Sequence, residues 1–593
     1  MEATFTFSDP ITFEVVKNAL VSLADEMAIT VIRTAHSQVV RDSMDFSTAI
    51  CDARGRLVAQ GLCLPLHLGA IPDAMEAVLA RYKDSIHSGD VFVHNDPEEG
   101  GMHLPDIFMF KPVFWQESLV GFAACVAHYP DIGGRVPGGN AVDSTEIFQE
   151  GLQIPILKLY ERGQPNQTLF SILTKNVRIP DVVLGDLGAQ LAACATGEAG
   201  YLRLVERYGM DRLEGLIDQL LDYTESMVRD ELARVPEGTY SFQDHIDDDG
   251  FGSGPITICV TLTFAGGTLN ADFTGTSRQA KSALNATVSF TKSAVYTALM
   301  CVMNPDILSN DGFYRPIRVL VPRGTILNAN HPAPRAARGL TGFRTVDTVA
   351  GALHKALPNA VGAAGEGGAT MIAMGGHSDL GVPFIFVDFM CSGWGARPTK
   401  DGVDGTSAIA ANLSNVPVEE VELRQPVKVE EYGFVPDTGG PGKWRGSLSV
   451  VRELRFLEHE GVLQIRSDRR RFPPYGLGGG KDGTSSWNIL NPGPNQEILP
   501  TNITRPITGD NVLRHVMAGG GGFGNPLERD PALVLKDIVE EKITAGYALR
   551  EYGVVVDGDR PQLDLERTRQ TRKAMAQPHQ SGTAAPGRNG GSK

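Results

Sequence analysis

A chain of 593 residues is too long for one hydrophobic core, so several packed units are expected. Its 42% hydrophobic and 21% charged residues are those of an ordinary globular protein, and no apolar run approaches membrane-spanning length. A formal charge of −16 with no basic run argues against a nucleic-acid partner, and seven scattered cysteines without a CxxC argue for reduced thiols. With no signal-like N-terminus, the expectation is a cytoplasmic enzyme or enzyme subunit, off the membrane.

Asp9-Pro10 opens a helix, an N-cap candidate followed by proline, and Phe13, Val16, Leu20, Leu23, Met27 and Val31 form its apolar stripe. Met44 to Gln60 reads as a hairpin turning at Asp52–Gly55, and His67 precedes another helix. Strands are predicted at Asp90–His94, Ile107–Phe114 and Leu119–Ala127, and a second long helix at Asp211–Ala233. The pattern then turns strand-rich, with a hairpin at Ile256–Phe264 and Thr268–Phe273. Short helices are predicted at Val346–Leu357 and Pro531–Ala545.

The fold class expected is mixed α/β (α+β) in several units: 1–235 carrying the functional site, a strand-rich 236–430, and 431–569 with glycine loops. From 570 onward the chain is polar and aperiodic, so a disordered tail is expected at 570–593.

The stretch His94–Asp106, HNDPEEGGMHLPD, and the segment AHYPD at 127–131 carry the chemistry. His103 and His128 each stand three residues before an aspartate, Asp106 and Asp131, in H-L-P-D and H-Y-P-D. Imidazoles with carboxylates form a mixed N/O set suited to Zn²⁺, Mn²⁺ or Fe²⁺ with room for water. Asp45 is a further candidate, with Asp42 its competitor. The plain alternative is that these are capping and turn residues. His94 is read as orienting a ligand through a hydrogen bond, whereas His36, His67 and His354 are read as structural, His67 least firmly.

Three glycine-rich loops, at 436–446, 473–483 and 518–526, match neither phosphate-binding pattern and are read as tight turns or subunit contacts. There is no G-x-S-x-G elbow, and Cys125 in FAACVAH reads as a core thiol.

DFSTAICDARGRLVAQ, HNDPEEGGMHLPDI, PDTGGPGKWRG and AGGGGFGNPLERDPALVLKDIVEEKITAGYALREYGVVV, in this order, resemble the hydantoinase B/oxoprolinase family over about residues 9–557. One departure, LTGFRTVDTVAGAL, points to a different substrate pocket. The resemblance implies a metal-binding B subunit of an ATP-dependent cyclic-amide hydrolase, acting on a hydantoin, 5-oxoproline or another lactam. A partner A-type ATPase subunit would bind ATP with Mg²⁺ and phosphorylate the amide oxygen, in an A2B2 assembly. It also implies the metal ligands Asp45, His103, Asp106 and His128, with Zn or Mn the metals expected and Asp131 or His94 orienting water or a ligand. Two alternatives stand beside it: a subunit of an ATP-dependent ketone carboxylase, and a non-catalytic scaffold for the A subunit.

Overall fold

The computed structural model describes residues 9–61, 64–558 and 561–576, a mixed α/β fold with several sheets. The first sheet is antiparallel, with Phe46–Asp52, Ser118–His128, Asp106–Trp115 and Val91–His94 side by side near its centre. Its strands alternate with period two between two buried faces. Ile50, Ile107, Met109, Ala123 and Cys125 face a core that includes helices Pro10–Thr34 and Pro180–Tyr208. Ala49, Phe108, Phe110, Phe122 and Val126 face another, built with helices Ala70–Tyr82, Val288–Met300 and Arg338–Ala356. This second core extends from Ala49 to Ala411, so segments on both sides of residue 235 share it.

A four-stranded sheet of Ile317–Leu320, Thr268–Asp272, Ile256–Ala265 and Gly238–Ile246 follows. Two further sheets, one containing Met371–His377 and Glu460–Arg466, the other Ser449–Phe456 and Val512–Val516, enclose a third core around Ile372, Leu454, Leu463 and Leu513.

Several predicted elements are present with shifted ends. The second long helix spans Met210–Arg234, and the helix predicted at Val346–Leu357 begins at Arg338. Packing overrides propensity there. A Cβ on Gly342 would lie 2.2 Å from the Phe290 ring, so two helices meet where glycine gives no periodic signal. The 29-residue helix Pro180–Tyr208 is hidden in the sequence for the same reason: Gly197 and Gly200 receive Met27 and Leu23 of the first helix. The helix predicted at Pro531–Ala545 stops at Val539, Glu541 turns the chain at φ 58°, and a further helix, Ala545–Tyr552, starts where the predicted one was to end. Of the expected tail, residues up to Met575 belong to a helix, Leu565–Met575, while 577–593 lie outside the described residues.

The three glycine loops pack on one another. A Cβ on Gly446 would fall 1.9 Å from the Gly520 carbonyl oxygen, and one on Gly519 2.0 Å from that of Thr438. Backbone N–H groups of Gly440, Lys481 and Gly522 donate to the carbonyls of Gly520, Pro441 and Lys481. These groups are therefore consumed by close backbone contact rather than turned toward an anion.

Candidate metal centre

Strands 106–115 and 118–128 pair in a register that sets Asp106 opposite His128. Directly opposed residues of an antiparallel pair project from the same face about 5 Å apart. The two residues, 22 apart in sequence, are thus delivered together at one end of the sheet. His103 joins from the turn before the strand, where the Asp106 N–H donates to the His103 carbonyl.

The result is a buried cluster: His103 Nε2 lies 2.9 Å and His128 Nδ1 3.0 Å from Asp106 Oδ1, with 3.2 Å between the two nitrogens. His103 Nδ1 donates to the Ala336 carbonyl at 3.1 Å, which leaves Nε2 a lone pair aimed at the cluster. Ala336 is itself held, since its N–H and that of Arg335 donate to Glu150. Burial pushes the Glu150 carboxyl up to about 8 and holds His103 down to about 3, neutral at physiological pH. Against its burial, Asp106 is kept well below the usual carboxylate range chiefly by Arg338, whose guanidinium bonds its second oxygen.

Asp45 stands beside this cluster. The His128 N–H donates to its carbonyl, its Oδ2 is 3.9 Å from His128 Nδ1, and its buried Oδ1 has no partner among the described residues. Burial raises its pKa. Asp42, by contrast, is spent on Arg41 through bonds of 2.8 and 2.7 Å.

The remaining predicted residues lie differently. Asp131 is bonded by Arg178, whose Nη1 is 3.0 Å from Oδ1 and whose N–H reaches Oδ2. His94 stacks on Phe108 and Phe110, and neither of its ring nitrogens has a partner among the described residues. Neither residue lines the cavity beside the cluster.

His67, read from sequence as structural, does reach the site: Nε2 points at Asp106 Oδ2 from 3.8 Å, and Nδ1 is bonded to Ser47 Oγ at 2.9 Å. Burial holds it down to about 4. Its closeness in sequence to the H-L-P-D segment was the one available signal. Arg338, Glu366 and Arg466 were missed, because they enter from segments more than two hundred residues downstream.

The cavity is about 50 Å³ and is lined by Asp45, His103, His128, Arg338, Glu366 and Arg466, with Phe290, Phe343 and Phe389 among its apolar walls. A neighbouring cavity of about 270 Å³ shares Phe343 and Ala408 with it.

A buried His–Asp–His cluster at the ends of two central strands of an antiparallel sheet, closed by strands from later in the chain, is a class of centre able to hold a divalent ion. Comparison with known proteins assigns the family: the chain matches hydantoinase B/oxoprolinase over residues 9–526 and belongs to it. It is 34% identical over 587 residues to the B subunit of a putative D-/L-hydantoinase from Pseudomonas sp. (strain NS671), covering 95% of this chain and 98% of that one. The structure of an ATP-dependent caprolactamase from Pseudomonas jessenii superposes with a TM-score of 0.90 at 32% identity, over 96% of this chain and all of the other. An acetone carboxylase chain superposes with a TM-score of 0.89 at 20% identity, over 96% of this chain and 83% of the other, and so shares the fold. No helix among the described residues is long and apolar enough to cross a membrane.

Proposed function

We propose that this chain is the metal-binding B subunit of an ATP-dependent cyclic-amide hydrolase, opening a hydantoin, 5-oxoproline or lactam ring. The observation that carries it is the His103–Asp106–His128 cluster, buried in a chain that is similar end to end to the corresponding component of a hydantoinase. Its donor set suits Zn²⁺ or Mn²⁺. Three lone-pair-bearing atoms within 4.8 Å, a neutral His103 and an ionised Asp106 need little proton release to accept a cation. His103, Asp106 and His128 would hold the ion, with Asp45 or His67 completing the set. When bound, such an ion supplies Lewis acidity toward a water or a carbonyl oxygen.

This chain's own residues supply the rest. Ala336 and Glu150 fix the His103 ring, Arg338 holds the Asp106 carboxylate, and Phe290, Phe343 and Phe389 narrow the cavity against bulk water. An unactivated amide is a poor electrophile, which is why phosphorylation on its oxygen must come first. With the interlaced glycine loops bonded to each other, ATP and Mg²⁺ belong to an A-type partner, in an A2B2 assembly in the cytoplasm.

Co-purification with an A-type partner, elemental analysis and an ATP-dependent ring-opening assay test this. Ring opening by this chain alone without ATP defeats the two-subunit reading. Bicarbonate-dependent ATP turnover on a ketone would move the chain to the carboxylase class, whose fold it shares.

A further inference from the structure

The cavity holds a cationic side chain that the metal centre does not explain. Arg466 is 4% exposed, yet its guanidinium makes no ion pair among the described residues. Nε donates to the Ala369 carbonyl at 3.1 Å and the guanidinium lies 6.0 Å from the Phe389 ring centre, but among the described residues the two terminal nitrogens have no acceptor. By contrast, each of the still more deeply buried arginines, Arg335, Arg344, Arg445, Arg452, Arg469 and Arg529, is paired with a carboxylate.

The fold places Arg466 with care. It ends the strand Glu460–Arg466 and is paired across Met371, which on its other side is paired with Phe389. The end of this sheet therefore closes over the cavity whose floor carries His103 and His128. Gly339, one residue after Arg338, faces the guanidinium, and a Cβ there would stand in ordinary contact, 3.4 Å from its carbon. Burial and repulsion from Arg338 lower its pKa, and the carboxylates of Asp45 and Asp106 offset this only in part.

We propose that Arg466 is the anion-binding residue of this cavity and receives the phosphoryl group of the activated substrate, an assignment that rests on the proposed function. A buried, unpaired cation is costly unless a ligand pairs with it, and a guanidinium fork matches two oxygens of a phosphoryl group. The Arg338 guanidinium is already spent on Asp106 and lies 4.2 Å from the Phe290 ring, so Arg466 is the free fork. A volume of about 50 Å³ accommodates a few waters or one tetrahedral oxyanion. The role is binding and orientation: the phosphoryl group is held so that the substrate carbon faces the His–Asp–His cluster, and no bond is made to Arg466.

The test uses the metal-loaded full-length chain with its A-type partner, and inorganic phosphate as probe. Equilibrium dialysis should show phosphate binding that Arg466→Met weakens by about tenfold to a hundredfold, with Arg466→Lys in between. Metal content should be unchanged in both, and thermal stability of Arg466→Met equal to or above that of the parent, because a binding cation is removed rather than a structural ion pair. Phosphate binding unchanged in Arg466→Met overturns the proposal, as does a parent protein that binds none. In turnover, Arg466→Met should raise the ATP consumed per ring opened, and an unchanged ratio rejects the phosphorylated substrate as the ligand. Phosphate binding through Arg466 in a protein that opens no cyclic amide would instead fault the proposed function and leave the anion site standing.

Discussion

The segments H-L-P-D at 103–106 and H-Y-P-D at 128–131 have the same pattern and opposite fates. The first runs into a strand, so its aspartate is the first strand residue, and the second runs out of one, so its histidine is the last. Antiparallel pairing then sets Asp106 against His128 and makes one centre from half of each segment plus His103. Asp131 is carried past the strand end and bonded to Arg178. A motif therefore acquires its chemistry from where it meets the sheet: the turn leading into a strand end brings His103 to the paired Asp106 and His128, whereas the chain leaving the other strand takes Asp131 away.

Substitution can break this asymmetry. Asp106→Asn, His103→Ala and His128→Ala should each empty the centre of metal and lower ring opening by about 10²–10⁴-fold, the several kcal/mol a Lewis acid supplies. Elemental analysis beside the activity assay checks this, and a metal-replete Asp106→Asn would end the assignment. His67→Ala should weaken metal affinity by about tenfold to a hundredfold in a chelator competition, as expected of a group bearing on a ligand. Unchanged affinity would confine His67 to its contact with Ser47.

Asp131→Asn should keep the metal and instead lower unfolding stability by about 1–3 kcal/mol, measured by denaturant titration, because a buried partner of Arg178 is weakened. Metal loss in this variant would restore the equality of the two segments. The smallest effect belongs to His94, whose unpartnered nitrogens sit among Phe108 and Phe110. His94→Phe should raise stability by about 1 kcal/mol and leave metal content alone, whereas a loss of metal would return His94 to the role of orienting a ligand. Burial holds the His94 pKa at about 3 against an ordinary 6.5, so the unfolded chain binds a proton in that window that the folded chain does not. Stability therefore falls as pH drops below about 6.5, and the acid loss should be shallower in His94→Phe.

Much of the centre was legible in sequence. His103, Asp106 and His128 were readable because imidazole and carboxylate cluster within a few residues of predicted strand ends. Asp45 was separable from Asp42 only through the resemblance; in the structure Asp45 Oδ1 has no partner among the described residues, while Arg41 takes Asp42. His94 and Asp131 share the local pattern, so nothing short of register could show that neither lines the cavity.

The hydrophobic alternation of the strands, the capped first helix and the histidine–proline–aspartate spacing are local, and the sequence by itself determined them. Tertiary structure alone decided the register that joins Asp106 to His128, the burial of helix Arg338–Ala356, and the arrival of Arg338 and Arg466 at the cavity. The register joins residues 22 apart and Arg338 reaches Asp106 across 232, separations that leave no periodic trace, and glycines such as Gly342 let the segments approach through their missing side chains.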